Sequence, residues 1–162
     1  MSSSAEEIKN ACLRLLAARE HSRKELLQKL TVKGYRRDTV LAVIDELAEQ
    51  GWQNDRRYAE SYARSRILKG YGPLRIAYEL RQNGVAISVD DDYRAGSSNA
   101  EGFDLDAIVQ TAAGGWLDLM EKVYRKKYGH AKAPDAKERA KRSRFLLQRG
   151  FTAAMISELF EL

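Results

Sequence analysis

Apolar residues recur along most of the chain at intervals of three and four positions, the spacing that places side chains on one face of an α-helix. This spacing predicts helices over about residues 7–19 and 38–50. Between them, Ser22 and Glu25 have the spacing of a capping box, which is typical of the first turn of a helix. Gly34 follows the apolar residues of that helix and is predicted to end it.

The pattern of the first helices recurs 50 residues further along the chain. Here Asn54 or Asp55 is placed to cap one helix, and Pro73 lies in the first turn of the next, where proline is tolerated. The matched positions are Ile8 and Tyr58, Leu26 and Ile76, Leu30 and Leu80, and Gly34 and Gly84. This correspondence predicts a tandem repeat.

A looser third copy of the repeat fills the C-terminal part of the chain. It is predicted to contain a helix from Trp116 to Gly129, a helix opened by a capping box at Asp135 and Glu138, and a last helix capped by Thr152. The predicted fold class is therefore all-α, an elongated and curved tandem array of three three-helix repeats. The predicted bounds of the repeats are residues 1–53, 54–115 and 116–162.

An acidic segment at about residues 86–103 interrupts the second repeat. It contains three successive aspartates, Asp90 to Asp92, followed by Gly-Ser-Ser-Asn, and it offers little apolar surface to bury. We therefore expect a flexible insertion, after which Asp104 caps the short third helix of the repeat.

The charge of the chain is unevenly distributed. The net charge is +5, which alone says little about partners. By segment it is +1 for residues 1–53, +4 for 54–85, −6 for 86–119 and +6 for 120–162. Two basic blocks thus flank an acidic one, and this separation favours an anionic partner.

The residue types needed for catalysis or metal binding are scarce. The chain has one cysteine, Cys12, and two histidines, His21 and His130, and the three are scattered. We assign no catalytic residue, metal ligand or cofactor, and expect a protein that is not an enzyme. Without an apolar run of about 20 residues or a signal peptide at the start, we expect a soluble, cytoplasmic protein with no membrane contact.

Cationic and aromatic side chains are the remaining candidates for function. One group surrounds the second repeat and consists of Arg56, Arg57, Tyr58, Arg64, Arg66, Lys69, Tyr71 and Arg75. The other lies on the helix that follows Asp135 and consists of Lys137, Arg139, Lys141, Arg142, Arg144 and Arg149. Because Glu138 is the only acid over residues 137–149, the second set favours a binding surface over a merely solvated face.

The order of several motifs resembles that of the RecX family of recombination regulators. The motifs are Ser22-Arg-Lys-Glu-Leu-Leu-Gln-Lys-Leu30, Asn54-Asp-Arg-Arg-Tyr-Ala59, Lys69-Gly-Tyr-Gly-Pro-Leu-Arg-Ile76, Tyr124-Arg-Lys-Lys-Tyr-Gly129 and Arg144-Phe-Leu-Leu-Gln-Arg-Gly-Phe151. The resemblance covers roughly residues 8–85 and 104–162. Positions that match the family pattern are Arg56, Tyr58, Lys69, Gly70, Gly72, Arg75, Gly84, Lys127 and Arg149.

The resemblance implies a partner and a role. It implies that the protein binds the RecA recombinase and its filament on single-stranded DNA. Inhibition of strand exchange, ATP hydrolysis and coprotease activity would then follow, in DNA repair and the SOS response. It also implies weaker binding of single- or double-stranded DNA, by a protein that we expect to be a monomer. Docking is predicted for Arg57, Arg64, Arg75, Lys141, Arg142 and Arg144, because exposed arginines chiefly set encounter rate and register.

The sequence departs from the family pattern at two places, and other readings stay open. Tyr58 stands where members usually have phenylalanine, and the acidic insertion at about 86–102 is additional. The insertion is predicted either to screen the basic surface or to alter how the array lies in a filament groove. The main alternative is a sequence-indifferent DNA-binding helical module, in which the same arginines contact phosphates. A structural helical adaptor is the third reading.

Overall fold

The computed structural model describes residues 2–87 and 103–161. These residues form helices joined by short turns and contain no strand, so the predicted all-α class is confirmed. The helices are α1 (Ser2–Ala18), α2 (Arg23–Val32), α3 (Arg37–Glu49), α4 (Asp55–Leu68), α5 (Pro73–Gln82), α6 (Leu105–Ala113), α7 (Trp116–Tyr128), α8 (Ala136–Arg149) and α9 (Ala153–Glu161).

The helix bounds agree with the apolar spacing to within a residue or two, except at α1. This helix begins at Ser2, well before the predicted residue 7. The added turn carries Ala5, which is half-buried against the core formed by the first three helices. A single alanine adds too little to the apolar pattern to mark this turn in the sequence.

Three of the predicted helix caps form as the sequence predicts, at the N-termini of α2, α6 and α9. The capping box at the start of α2 is complete: Glu25 N–H donates to Ser22 Oγ at 3.1 Å, and Ser22 N–H donates to the Glu25 carboxylate at 3.1 Å. Asp104 caps α6 and Thr152 caps α9, each through a backbone N–H three residues further on. Side-chain oxygens thus satisfy N–H groups that have no partner within their own helix.

Two other predicted caps differ in detail. Of the two candidates at α4, Asn54 is the cap, because its side-chain oxygen accepts from Arg57 N–H at 2.9 Å. The predicted box at α8 is only half right. Asp135 accepts from Glu138 N–H at 2.8 Å, but the Glu138 carboxylate pairs with Arg142 instead of returning to the Asp135 backbone.

The chain divides into two compact units. One consists of Met1–Ser61 with Arg81–Val85, and the other of Tyr62–Leu80 with Ala86–Leu162. In the first unit α1, α2 and α3 pack against one another around a core that includes Ile8, Leu26 and Ile44. Cys12 lies in this core, and burial raises the pKa of its thiol to about 11, so the group is an uncharged apolar filler at neutral pH.

In the second unit α7 packs against α6 and α9, and α8 packs against α9. Both described ends of the predicted insertion belong to this unit. Ile87 and Phe103 are each 4% exposed, so apolar side chains are buried at both described ends of the span. The flexibility predicted for the insertion stays a prediction. The rest of the insertion, residues 88–102, lies outside the described residues.

No helix among residues 2–87 and 103–161 has the length and apolar character that crossing a lipid bilayer requires. The histidine, cysteine and acidic side chains of the same residues form no cluster suited to a metal ion.

Candidate interaction surface

Two turns of the second unit are in direct backbone contact, and Lys69, Arg75 and Arg149 lie on or beside them. Gly72 N–H donates to the Arg149 carbonyl at 2.8 Å, and Leu74 N–H donates to the Gly150 carbonyl at 3.0 Å. A Cβ at Gly72 would lie 2.5 Å from the carbonyl carbon and oxygen of Gly150. Gly150 has φ +100°, and a Cβ there would overlap Arg75. The turns after α4 and α8 can therefore meet only because both positions are glycine.

Tyr71, on the first of these turns, is surrounded by guanidinium groups. The Cζ atoms of Arg66, Arg149 and Arg75 lie 3.9, 4.8 and 5.0 Å from the centroid of its ring. Arg149 also donates to the Lys69 carbonyl at 3.2 Å, and Arg75 donates to the Gln148 carbonyl at 3.3 Å. Cation–π attraction and these hydrogen bonds fasten the two turns together.

Glu79 on α5 partly neutralises this cluster. Its carboxylate accepts from Arg66 at 2.8 and 3.0 Å, from Arg75 at 3.2 Å and from the Tyr62 hydroxyl at 3.0 Å. Arg149 makes no ion pair within the described residues, so it keeps an uncompensated charge beside Tyr71. Glu79 is not among the residues predicted from the sequence. Its position four residues after Arg75, on the same helix face, was the available signal.

Lys127 and Arg149 approach a second aromatic ring, that of Phe145. The Lys127 ammonium lies 4.3 Å from the ring centroid and the Arg149 guanidinium 5.5 Å from it. Phe145 in turn meets Tyr128 edge to face, with centroids 5.8 Å apart. The structure thus brings three predicted residues into one cluster of rings and cations: Tyr71, Lys127 and Arg149. The family resemblance alone did not predict that they lie together.

The predicted position of Arg142 on the exposed surface is wrong. Its side chain is buried, with the residue only 7% exposed, whereas the sequence analysis treated it as an exposed docking arginine. It donates to the Tyr124 hydroxyl at 2.8 Å, to the Ala131 carbonyl at 2.9 Å and to Glu138 at 3.1 Å. The hydrogen bond to Tyr124 and the pairing with Glu138 raise the pKa of the guanidinium above its ordinary value. Arg142 therefore joins α7, α8 and the segment between them.

The outer face of α8 carries an exposed cationic stripe. Lys137, Lys141 and Arg144 lie at intervals of four and three residues, which places them along one side of the helix. All three are exposed, and none has a carboxylate within ion-pair distance among the described residues. We call these three residues the α8 stripe. Its charge is available to a partner.

The predicted residues of the first unit have mixed environments. Arg56 is exposed and pairs with Glu60 on the next turn at 3.0 Å. Arg57 pairs with Glu20 at 2.6 Å and donates to the carbonyls of Gly51 and Trp52, so it holds α4 to earlier parts of the chain. Tyr58 is 2% exposed and belongs to the core, which corrects its placement on a binding surface.

The two remaining predicted residues belong to the second unit: Arg64 lies near the end of α4, and Lys69 directly follows it. Arg64 and Lys69 are both exposed, and no carboxylate of the described chain lies within ion-pair distance of either side chain. With the α8 stripe, Lys127 and Arg149, they make up the available positive charge among the predicted residues of this unit.

Tandem three-helix domains with exposed cations on their surface define a helical interaction protein. Three family models match the chain. They are described as the first, second and third three-helix domains of RecX, and they match residues 9–47, 54–89 and 117–160. The chain therefore belongs to the RecX family of regulatory proteins.

Similar proteins support this membership along nearly the whole chain. A regulatory protein RecX from Halorhodospira halophila is 38% identical over 152 residues, which cover 94% of this chain and 85% of the relative. A regulatory protein RecX from Pseudomonas tolaasii is 37% identical over 152 residues, covering 94% and 88%. One from Acidithiobacillus ferrooxidans is 35% identical over 147 residues, covering 91% and 84%.

Two crystal structures share the fold. RecX from Lactobacillus salivarius superposes with a TM-score of 0.70 at 24% identity, covering 99% of this chain and 97% of that one. A second structure, of a regulatory protein RecX, gives a TM-score of 0.74 at 20% identity, covering 99% and 73%. At these identities the likeness concerns the fold. The bounds of the repeats predicted from the sequence stay a prediction.

Proposed function

We propose that this protein binds RecA filaments on single-stranded DNA and inhibits their ATP hydrolysis, strand exchange and coprotease activity. The single observation that carries this proposal is membership of the RecX family across all three helical domains. It acts in DNA repair and the SOS response, as a monomer in the bacterial cytoplasm. Contacts to DNA itself are secondary and weaker.

The α8 stripe is the proposed docking surface on the second unit. Lys137, Lys141 and Arg144 are exposed and have no ion-pair partner among the described residues, so their charge is available to a partner. Arg64, Lys69 and Lys127 add exposed charge in the same unit. Tyr71, Arg75 and Arg149 act beside them by fixing the turns after α4 and α8. Arg142 and Tyr58 are excluded as direct contacts because they are buried.

The proposal is tested by ATP hydrolysis of RecA on single-stranded DNA. Added protein is expected to lower the rate of hydrolysis in a saturable manner. Inhibition at amounts far below one copy per RecA subunit indicates capping of a filament end, and a requirement for near-equal amounts indicates binding along the filament groove. An unchanged rate at every ratio contradicts the proposal.

DNA binding without RecA is the competing function, and the α8 stripe is the observation that favours it. Cations without an ion pair among the described residues are equally suited to phosphates, and such binding weakens steeply as salt is raised. Salt-sensitive binding to DNA, together with an unchanged rate of RecA ATP hydrolysis, would replace the proposed function by this one.

A further inference from the structure

An apolar groove of about 170 Å³ lies in the second unit between the C-terminal ends of α4 and α6 and one side of α7. Ile67 and Leu119 are buried in its floor, and Val123 is half-buried beside them. A Cβ at Gly70 would lie 2.8 Å from a Val123 methyl carbon, so the turn after α4 approaches α7 closely. We call this feature the α7 groove.

The α7 groove has the size of one apolar side chain. Small-molecule sites are usually about 300–1,000 Å³, whereas a cavity of about 150 Å³ holds a single benzene ring. Leu68 lies at the rim with 68% of its surface exposed, which extends the apolar area beyond the groove itself. A leucine or phenylalanine side chain would therefore fill the floor and cover Leu68.

Three lysines surround this apolar floor. Lys122 and Lys126 are four residues apart on α7, and Lys69 follows the end of α4. All three are exposed, no acidic side chain lines the groove, and none of the three has an ion-pair partner among the described residues. The electrostatic complement of the rim is thus a ligand with several carboxylates.

We propose that the α7 groove binds an acidic segment of a partner protein, which inserts one aliphatic or aromatic side chain between Lys69, Lys122 and Lys126. Apolar burial would supply affinity, and the lysines would select for carboxylates on both sides of the inserted residue. Single-stranded nucleic acid fits this groove less well. Its bases bind by stacking on aromatic rings, and no aromatic residue lines the groove. The proposal does not depend on RecA.

The probe is a synthetic peptide with glutamates on both sides of a single leucine, titrated into the full chain and followed by methyl resonances of Leu119 and Val123. We expect saturable shifts of these methyl groups. A matched peptide with serine in place of leucine should bind about tenfold more weakly, because the apolar side chain is then absent. The double variant Lys122→Glu/Lys126→Glu should lose at least about tenfold in affinity for the leucine peptide.

The matched control is Arg14→Glu/Lys33→Glu, which makes the same change in charge at exposed residues of the first unit. It is expected to bind the leucine peptide within about twofold of the unchanged protein. Dispersed methyl resonances in each variant show that it remains folded. Lys126 also lies in the last turn of α7, where a positive charge stabilises the helix dipole. Lower thermal stability of the Lys122→Glu/Lys126→Glu variant with unchanged peptide affinity would show a role in helix stability and contradict peptide binding.

Three other results would overturn the inference. Equal affinities for the leucine and serine peptides would mean that the apolar floor is not used. Equal losses of affinity in the two charge-reversed variants would mean that the peptide responds only to net charge. Larger shifts of Leu119 and Val123 with a thymidine oligonucleotide than with the leucine peptide would assign the groove to nucleic acid.

Discussion

The two turns of the second unit can meet because Gly72 has no side chain. We expect Gly72→Ala to lower the free energy of unfolding by about 1–3 kcal/mol, the usual cost of forcing extra atoms into a packed site. The added Cβ would lie 2.5 Å from backbone atoms of Gly150, which cannot rotate away as a side chain can. Chemical denaturation measures the change.

Gly51→Ala is the control for this substitution. Gly51 has φ +84° and no atom within 4 Å of an added Cβ, so only backbone strain of about 1 kcal/mol is expected. A Gly72→Ala protein as stable as the unchanged chain would contradict the close approach of the two turns.

Arg142 and Arg144 are close in sequence but differ in environment. We expect Arg142→Ala to lower the melting temperature, because it removes hydrogen bonds to Tyr124, Ala131 and Glu138. Arg144→Ala removes an exposed, unpaired side chain and should change stability by no more than about 0.5 kcal/mol. Equal melting temperatures for the two variants would contradict the buried position of Arg142.

His21 makes the stability of the first unit depend on pH. Its Nδ1 lies 3.0 Å from the Arg19 carbonyl and its Nε2 lies 3.0 Å from the Lys29 ammonium, so the neutral ring donates to one and accepts from the other. Burial, assisted by the charges of Arg19 and Lys29, holds its pKa below the ordinary value of 6.5, against opposing effects of the Arg19 carbonyl and of Glu25. The unfolded chain therefore binds a proton more readily than the folded one.

We expect the free energy of unfolding to fall as pH is lowered through 6.5, by at most about 1.4 kcal/mol per pH unit for this one group. Urea unfolding between about pH 5.5 and 7.5 measures this loss, which His21→Ala should remove. His130→Ala, at an exposed position, should retain it. Equal slopes in the two variants would assign the pH dependence to other groups.

At the scale of single residues, the sequence identified cations but not their partners. The partner of Arg57 is Glu20, 37 positions away, and Arg149 reaches the Lys69 carbonyl across 80 positions. No local spacing predicts such contacts. Arg142 is different, because it shares a helix face with Glu138 and the buried Leu146, four residues on either side. Counting charge over α8, without assigning its faces, therefore gave the wrong position for Arg142.

At the scale of helices, the sequence predicted most of the structure because caps and apolar spacing are local. Ser22 is the clearest case. Its hydroxyl accepts from Glu25 N–H, and the Glu25 carboxylate returns to Ser22 N–H. Burial raises the pKa of Glu25, but the hydrogen bonds from Arg19 and Ser22 outweigh it and hold that pKa below its ordinary value.

We expect Ser22→Ala to lower the free energy of unfolding by about 1 kcal/mol, because a buried N–H group of α2 loses its acceptor. The shift of the urea midpoint measures this loss. Ser157→Ala, at an exposed position inside α9, removes no cap and should be neutral or slightly stabilising. A Ser22→Ala variant that unfolds at the unchanged midpoint would contradict the role of the cap.

At the scale of the whole molecule, the fold class and the family could be predicted from the sequence, whereas the available surface could not. The segment charges of +4 and +6 indicated basic regions correctly, but they count paired and free cations alike. In the structure Glu79 neutralises part of the first region, and Glu138 binds the buried Arg142 in the second. Among the described residues, the cations of the second region without an ion pair include the α8 stripe, Lys122, Lys126, Lys127 and Arg149.

Binding to RecA filaments on single-stranded DNA, measured for the unchanged protein and for Lys141→Glu/Arg144→Glu, tests the central claim most directly. Charge reversal of the α8 stripe is expected to weaken filament binding by at least about tenfold, since each lost attraction becomes a repulsion. Arg14→Glu/Lys33→Glu makes the same change at exposed residues of the first unit that have no ion pair within the described part of the chain, and it should bind within about twofold of the unchanged protein. Equal affinities of all three proteins for the filament would contradict docking through the α8 stripe.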